Sequence, residues 1–159
     1  MEDPKILIID DEIEIIKQAI YILESSDSQY EILNSFSGKE AIEIAIKEQP
    51  DLIITDWQMP EISGIDIIKK IKNNQNTQEI PIIMMTGAMT SSENLSLALK
   101  TGAVDFIKKP IDKLEFLARI NSMLLLTHYY KQKIIAETKA KELVKENLES
   151  YKRQLASST

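Results

Sequence analysis

Asp51-Leu52-Ile53-Ile54-Thr55-Asp56-Trp57-Gln58-Met59-Pro60 is an apolar run that stops at a carboxylate and then turns. The segment Leu52 to Ile54 is short, rich in β-branched residues and does not alternate, which predicts a strand buried on both faces, as in a parallel sheet. Asp56 then falls at the carboxyl end of that strand. In open parallel sheets the loops beyond the strand carboxyl ends line the ligand crevice, so Asp56 is the candidate reacting group. Pro60 and Gly64 mark the turn that follows.

The same pattern occurs upstream. Lys5-Ile6-Leu7-Ile8-Ile9-Asp10-Asp11 is a second buried-strand run ending in acids. Between the two, Glu12 to Leu23 carries apolar residues at 13, 16, 19, 20 and 23, the spacing of a helix, and Ser25 to Ser28 breaks it. Tyr30 to Asn34 reads as a short strand. Ser37 and Glu40 form the sequence signature of a capping box, opening a helix that buries Ala41, Ile42, Ala45 and Ile46 and stops before Pro50. Downstream of Asp56, Ile65, Ile67, Ile68 and Ile71 pattern a third helix that dissolves into Asn73-Asn74-Gln75-Asn76. Ile80 to Thr86 is the fourth strand, Ser91 to Lys100 a weaker helix ended by Gly102, and Val104 to Ile107 the fifth strand. Lys108-Lys109-Pro110 follows, and a long helix begins near Asp112.

Strands alternating with helices at this spacing imply right-handed βαβ units and a doubly wound parallel sheet. Strand order is not readable from periodicity, but co-location is: Asp10, Asp11, Asp56, Thr86 and Lys109 all lie just past strand carboxyl ends. Three carboxylates brought together repel by about 1 kcal/mol per pair even in water, so positive charge must sit among them. Oxygen donors without nearby His or Cys suit a hard cation, and Mg²⁺ takes a few carboxylates while keeping open positions for phosphate oxygens. With Lys109 as a positive charge and Thr86 as a hydroxyl donor, the set suits phosphoryl transfer to a carboxylate.

Composition narrows the setting. The 159 residues are 43% apolar, enough for one core plus an appendage, and contain no cysteine, so disulfides and thiolate metal sites are excluded. No apolar run approaches the ~20 residues of a spanning helix, and the expected setting is the cytoplasm, without membrane contact. The net charge of -6 is unevenly divided: residues 1–126 hold 12 Lys and Arg against 21 Asp and Glu, while residues 127–159 hold 7 against 4. An acidic body argues against direct nucleic-acid binding, and the interspersed charges of the tail read as a solvated helix face. Met84 and Met85 read as core residues, Trp57 as a partly exposed neighbour of Asp56, and His128 as a helix-surface residue.

Asp10-Asp11 after the first strand, Asp56 with Met59-Pro60 and Gly64 after the third, Thr86 after the fourth and Lys109-Pro110 after the fifth together resemble the receiver domain of two-component response regulators. The resemblance runs from residue 5 to about 125. It implies a flavodoxin-like or CheY-like α/β fold, a doubly wound five-stranded parallel sheet, with residues 1–126 as the receiver. It further implies that Asp56 accepts a phosphoryl group from a histidine kinase or phosphotransfer protein, and that Asp10, Asp11, Asp56 and the backbone carbonyl of Gln58 hold Mg²⁺. Thr86 would bond the phosphoryl oxygens, Lys109 would pair with them, and the Lys109-Pro110 peptide would be cis. Thr86 and Phe106 would be the moving switch residues, with Phe106 lacking the hydroxyl that a tyrosine there carries. Such a chain is a phosphoacceptor that acts only on its own phosphorylation and dephosphorylation.

Three other functions compete with this one. Phosphatases resembling haloacid dehalogenases also use a strand-end Asp with Mg²⁺, but place Asp-x-Asp after the first strand. A coiled-coil assembly module without phosphorylation conflicts with the intact acids, Thr86 and Lys109. A flavin site lacks a phosphate loop after the first strand.

From Asp112 to about Leu155 the helical pattern runs without proline or glycine, a length of about 65 Å. On a seven-residue repeat, Ile120, Met123, Thr127, Tyr130, Ile134, Glu137, Lys141, Val144, Leu148, Tyr151 and Leu155 share a seam, and a stutter would shift it to Ala136, Ala140 and Leu143. The expectation is that residues 127–159 form a helical extension, a parallel two-stranded coiled coil that makes a homodimer and links to an output domain not contained in this chain. Gly87 stands where the family usually has Ala, which predicts a more mobile loop. Ala88, like Gln58, occupies a position that modulates dephosphorylation, and its methyl group cannot position a water. Slow autodephosphorylation is expected, and a phosphoryl half-life of seconds at neutral pH, followed by intact mass, would overturn this.

Overall fold

The structure is a computed structural model that describes residues 2–87 and 90–158. Five strands, β1 (Lys5–Ile9), β2 (Glu31–Ser35), β3 (Leu52–Asp56), β4 (Ile82–Thr86) and β5 (Asp105–Lys108), alternate with helices α1 (Ile13–Glu24), α2 (Gly38–Glu48), α3 (Gly64–Lys72), α4 (Ser92–Thr101) and α5 (Lys113–Ser157). All pairings are parallel, in the order β2-β1-β3-β4-β5. The order reverses between β1 and β3, and this is the switch point at which open α/β sheets form their crevice. Register there sets Ile9 beside Thr55, so the next residue of each strand path, Asp10 and Asp56, meet at the edge.

Alternation along the strands supplies two cores. Leu7, Ile9, Ile53, Ile82 and Met84 pack with Ala41 and Ala45 of α2, Ile67, Ile68 and Ile71 of α3, and Ala98 of α4. Ile6, Ile8, Leu52, Ile54, Ile83, Met85 and Ile107 face the other way, onto Ile16, Ala19, Ile22 and Leu23 of α1 and Phe116 and Ile120 of α5. Both methionines are fully buried.

Several local readings shift when the packing is seen. Ile13 is half exposed because α1 starts there, beyond the end of β1, and Ile22 takes a buried place instead. In α2, Ile46 is exposed while Ile44 packs against the core, since the helix rotates its Ala41–Ala45 stripe onto the sheet. Ser37 Oγ accepts from Glu40 N at 3.5 Å, but the Ser37 amide donates to Ser35 Oγ, so Ser35 fills the place the capping box reserved for Glu40. Ser63 and Ser91 cap α3 and α4 through Asp66 N and Asn94 N. The Asn-rich segment after α3 is held by Lys72, whose Nζ donates to the carbonyls of Gln78 and Ile80. At Gly102, φ is 138°, and a Cβ would lie 3.0 Å from Lys72 Cγ, so this helix end requires glycine.

The chain divides into two compact units, Met1–Leu124 and Leu125–Thr159. Within the first, α5 is anchored by Phe116 and Ile120 in the core and by Tyr30, whose hydroxyl donates to Asn121 Oδ1 at 2.5 Å. In the second, the helix is exposed nearly throughout. No helix among the described residues is long and apolar enough to cross a membrane. Truncating Phe116, the largest fully buried side chain, to Ala is expected to cost about 3–5 kcal/mol, a large share of the ~5–15 kcal/mol typical of a domain. Urea unfolding monitored by circular dichroism checks this.

Candidate functional site

Three strand ends deliver the site. Asp10 follows β1, Asp56 ends β3, and Lys109 follows β5. One Lys109 Nζ lies 2.8 Å from Asp10 Oδ2 and 3.0 Å from Asp56 Oδ1. Asp10 is fully buried and Asp56 nearly so, so the shared ammonium replaces hydration that both carboxylates have lost. Asp11 is exposed, yet it too contributes a carboxylate oxygen to a cluster in which the ligand atoms of Asp10, Asp11 and Asp56 lie within 4.8 Å of one another.

Backbone geometry fixes these side chains. Asp10 Oδ1 accepts from Glu12 N at 2.9 Å, and its own amide donates to Ser35 O, tying the loop to β2. Asp56 Oδ1 accepts from Trp57 N at 2.8 Å, and that oxygen also takes Lys109. Asp56 Oδ2 carries no hydrogen bond among the described residues. Lys109 N donates to Thr86 O at 2.7 Å, so the lysine is registered against the end of β4, and the Lys109-Pro110 peptide is cis. Thr86 itself is buried at that strand end.

Gln58 is exposed in the turn after Asp56, and Trp57 is half buried against the α2–α4 core. Gly64 N donates to Trp57 O at 2.8 Å; a Cβ on Gly64 would stand 2.4 Å from Asp56 O and 2.8 Å from Met84 Cε. Glycine is required here by close approach, a role beyond the turn signal read from sequence. A Cβ at Gly87 would meet nothing within 4 Å, so packing does not demand glycine there. Ala88 lies outside the described residues. Phe106 is half buried beside β4, opposite Met84, and His128 sits in the second unit with its ring 6.1 Å from that of Tyr129.

Electrostatics follow the geometry. Burial raises the Asp56 pKa above the ordinary 3.8; the Lys109 hydrogen bond opposes this, while the neighbouring Asp10 charge adds to it. Burial works against the Lys109 ammonium, but its hydrogen bonds to Asp10 and Asp56 and their charges outweigh that and raise its pKa. Asp10 Oδ2 meets only the Lys109 ammonium, at 2.8 Å, and has no other polar partner among the described residues. A buried carboxylate oxygen with an open lone pair, in an all-oxygen set, fits a hard divalent cation.

One network escaped the sequence reading. Arg119 Nη1 donates to both oxygens of Asp105 at 3.0 Å and its Nε to Glu115 at 3.2 Å, joining α5 to the residue before Phe106. The four-residue spacing of Glu115 and Arg119 was the available signal; Asp105 joins only through the tertiary fold.

The family model for the response regulator receiver domain matches residues 6–121. This chain belongs to the response regulator receiver family. It is 37% identical over 122 residues to the phosphate regulon transcriptional regulatory protein PhoB of Pseudomonas aeruginosa, covering 77% of this chain and 52% of the relative. Against response regulator PleD of Caulobacter vibrioides the identity is 31% over 121 residues, 75% of this chain and 26% of the relative. The chain thus spans about half the length of the PhoB relative and less of PleD. Among solved structures, the chemotaxis response regulator CheY4 of Vibrio cholerae superposes with a TM-score of 0.70 at 28% identity, over 77% of this chain and 99% of that one. Receiver domains accept phosphate from histidine kinases and bind Mg²⁺ at an acidic cluster.

The raised Asp56 pKa has a stability consequence. Between 3.8 and the raised value the folded state binds more protons than the unfolded state, so this residue costs stability as pH rises through that window. Asp56→Asn is therefore expected to melt at a higher temperature than the wild type at neutral pH in chelator-treated buffer, with the advantage vanishing below pH 3.8. Thermal unfolding across pH checks it.

Proposed function

We propose that Asp56 is the phosphoacceptor of a two-component switch, taking its phosphoryl group from a phosphohistidine of a histidine kinase or phosphotransfer protein in the cytoplasm. The observation that carries this reading is the single ammonium bridging two buried carboxylates at 2.8 and 3.0 Å. Desolvation makes Asp56 the more basic nucleophile, and Lys109 keeps its charged form available. Because Oδ1 is held by Trp57 N and Lys109, Oδ2 is the attacking oxygen. It bonds to phosphorus as the P–N bond of the donor breaks, the electron pair leaves with the imidazole, and an acyl phosphate remains on Asp56.

Asp10, Asp11, Asp56 and the carbonyl of Gln58 would hold Mg²⁺. When bound, the ion offsets phosphoryl charge that three acids would otherwise repel. Lys109 then follows the phosphoryl oxygens, and the Thr86 hydroxyl supplies a donor from the end of β4. Movement of Thr86 toward the new group opens space on β4, into which Phe106, opposite Met84 on β5, turns inward. The chain works as a switch on its own Asp56 rather than as a turnover enzyme. We assign residues 1–126 to this switch, and residues 127–159 to a helical extension that dimerises with a second copy and relays the change to an output domain.

Intact mass after incubation with acetyl phosphate or phosphoramidate tests the acceptor. One phosphoryl group is expected on the wild type with Mg²⁺, and none on Asp56→Asn or in excess chelator. Equal labelling of wild type and variant would overturn the assignment.

A further inference from the structure

The second unit is a helix with large apolar side chains in solvent: Tyr130, Ile134, Val144, Leu148 and Tyr151 are each 43–67% exposed. They fall on one seam of a seven-residue repeat, interrupted in its middle by Glu137 and Lys141. A partner helix must complement that interruption as well as the apolar residues, because unpaired charges in a desolvated seam are costly.

The geometry points to a second copy of this helix, running antiparallel and centred on Lys139; this rests on the dimer reading above. Reversing the sequence about residue 139 superimposes the seam on itself. Glu137 then faces the partner's Lys141, and Lys141 the partner's Glu137, so both charges in the seam find opposite charge. Side-chain sizes match under the same operation: Ile134 meets the partner's Val144, Tyr130 the partner's Leu148, and Tyr151 the partner's Thr127, large against smaller. Each contact joins an a position to a d position, the layer composition that antiparallel pairing produces. A surface complementary to its own two-fold image is what an isologous dimer requires.

Parallel, in-register pairing matches Ile134, Val144 and Leu148 with themselves but fails on charge. It sets Glu137 against Glu137 and Lys141 against Lys141, and stacks tyrosine on tyrosine in two layers and threonine on threonine in another. The Glu137–Lys141 spacing within one helix is available in either arrangement and does not discriminate. Antiparallel pairing does bring Lys131 toward the partner's Lys145, but these lie at the solvated rim, where salt screens them. Seam charges are screened much less, and they decide the direction.

The chain contains no cysteine, so single-cysteine variants can carry one spin label each. Lys139→Cys and Arg153→Cys both fall on the face opposite the seam, where labels leave the pairing intact. Dipolar distances would be measured in the full chain. The expected result is a separation of about 20 Å at position 139, the width of two helices, and a separation beyond about 40 Å at position 153, from 1.5 Å per residue of axial offset. Short distances at both positions would overturn the antiparallel arrangement while keeping the dimer. No dipolar signal at either position, with light scattering showing a monomer, would overturn the dimer itself.

Discussion

Two ionised carboxylates buried side by side need a cation between them, and the Lys109 bridge between Asp10 and Asp56 is how this fold meets that constraint. Its dependence on three strand ends means that β1, β3 and β5 must keep their relative positions for either acid to remain charged in the interior. The bridge also leaves the site unfinished. Asp10 Oδ2 retains an open acceptor and Asp56 Oδ2 has no hydrogen bond among the described residues, so charge balance is met while coordination capacity remains. An acidic cluster with spare oxygen acceptors suits a hard divalent cation.

The sheet explains why the chemistry stands where it does. Parallel strands bring all carboxyl ends to one edge, and the reversal of order between β1 and β3 sets Asp10 and Asp56 beside each other there. Buried apolar faces above and below cover those strands, while Asp56 and Thr86 end their strands and Asp10, Asp11 and Lys109 sit just beyond theirs. Close approach finishes the job at Gly64, where a methyl group would collide with the Asp56 carbonyl. The position of the Asp56 carboxylate is therefore set by backbone packing as much as by its own hydrogen bonds.

Burial makes the Asp56 carboxylate more basic, and the same burial costs folding free energy at neutral pH. Phe106 stands beside Met84 of β4, and the residue before it, Asp105, is held by Arg119 of α5.

Much of this was legible in the chain. Non-alternating β-branched runs ending in acids specified a parallel sheet, because only strands covered on both faces tolerate that pattern, and strand-end placement alone collected Asp10, Asp11, Asp56, Thr86 and Lys109 at one edge. Local rules were less secure where they depended on neighbours: Ile13 and Ile46 fit the helical spacing but not the rotation each helix adopts against the sheet, and Ser35 displaced Glu40 from the Ser37 cap. Strand order, the lysine bridge, the Asp105–Arg119 link and the crowding at Gly64 were decided only by the tertiary structure. They join residues up to about a hundred positions apart, and periodicity, which reports a residue's own face, carries no information about which distant partner shares it.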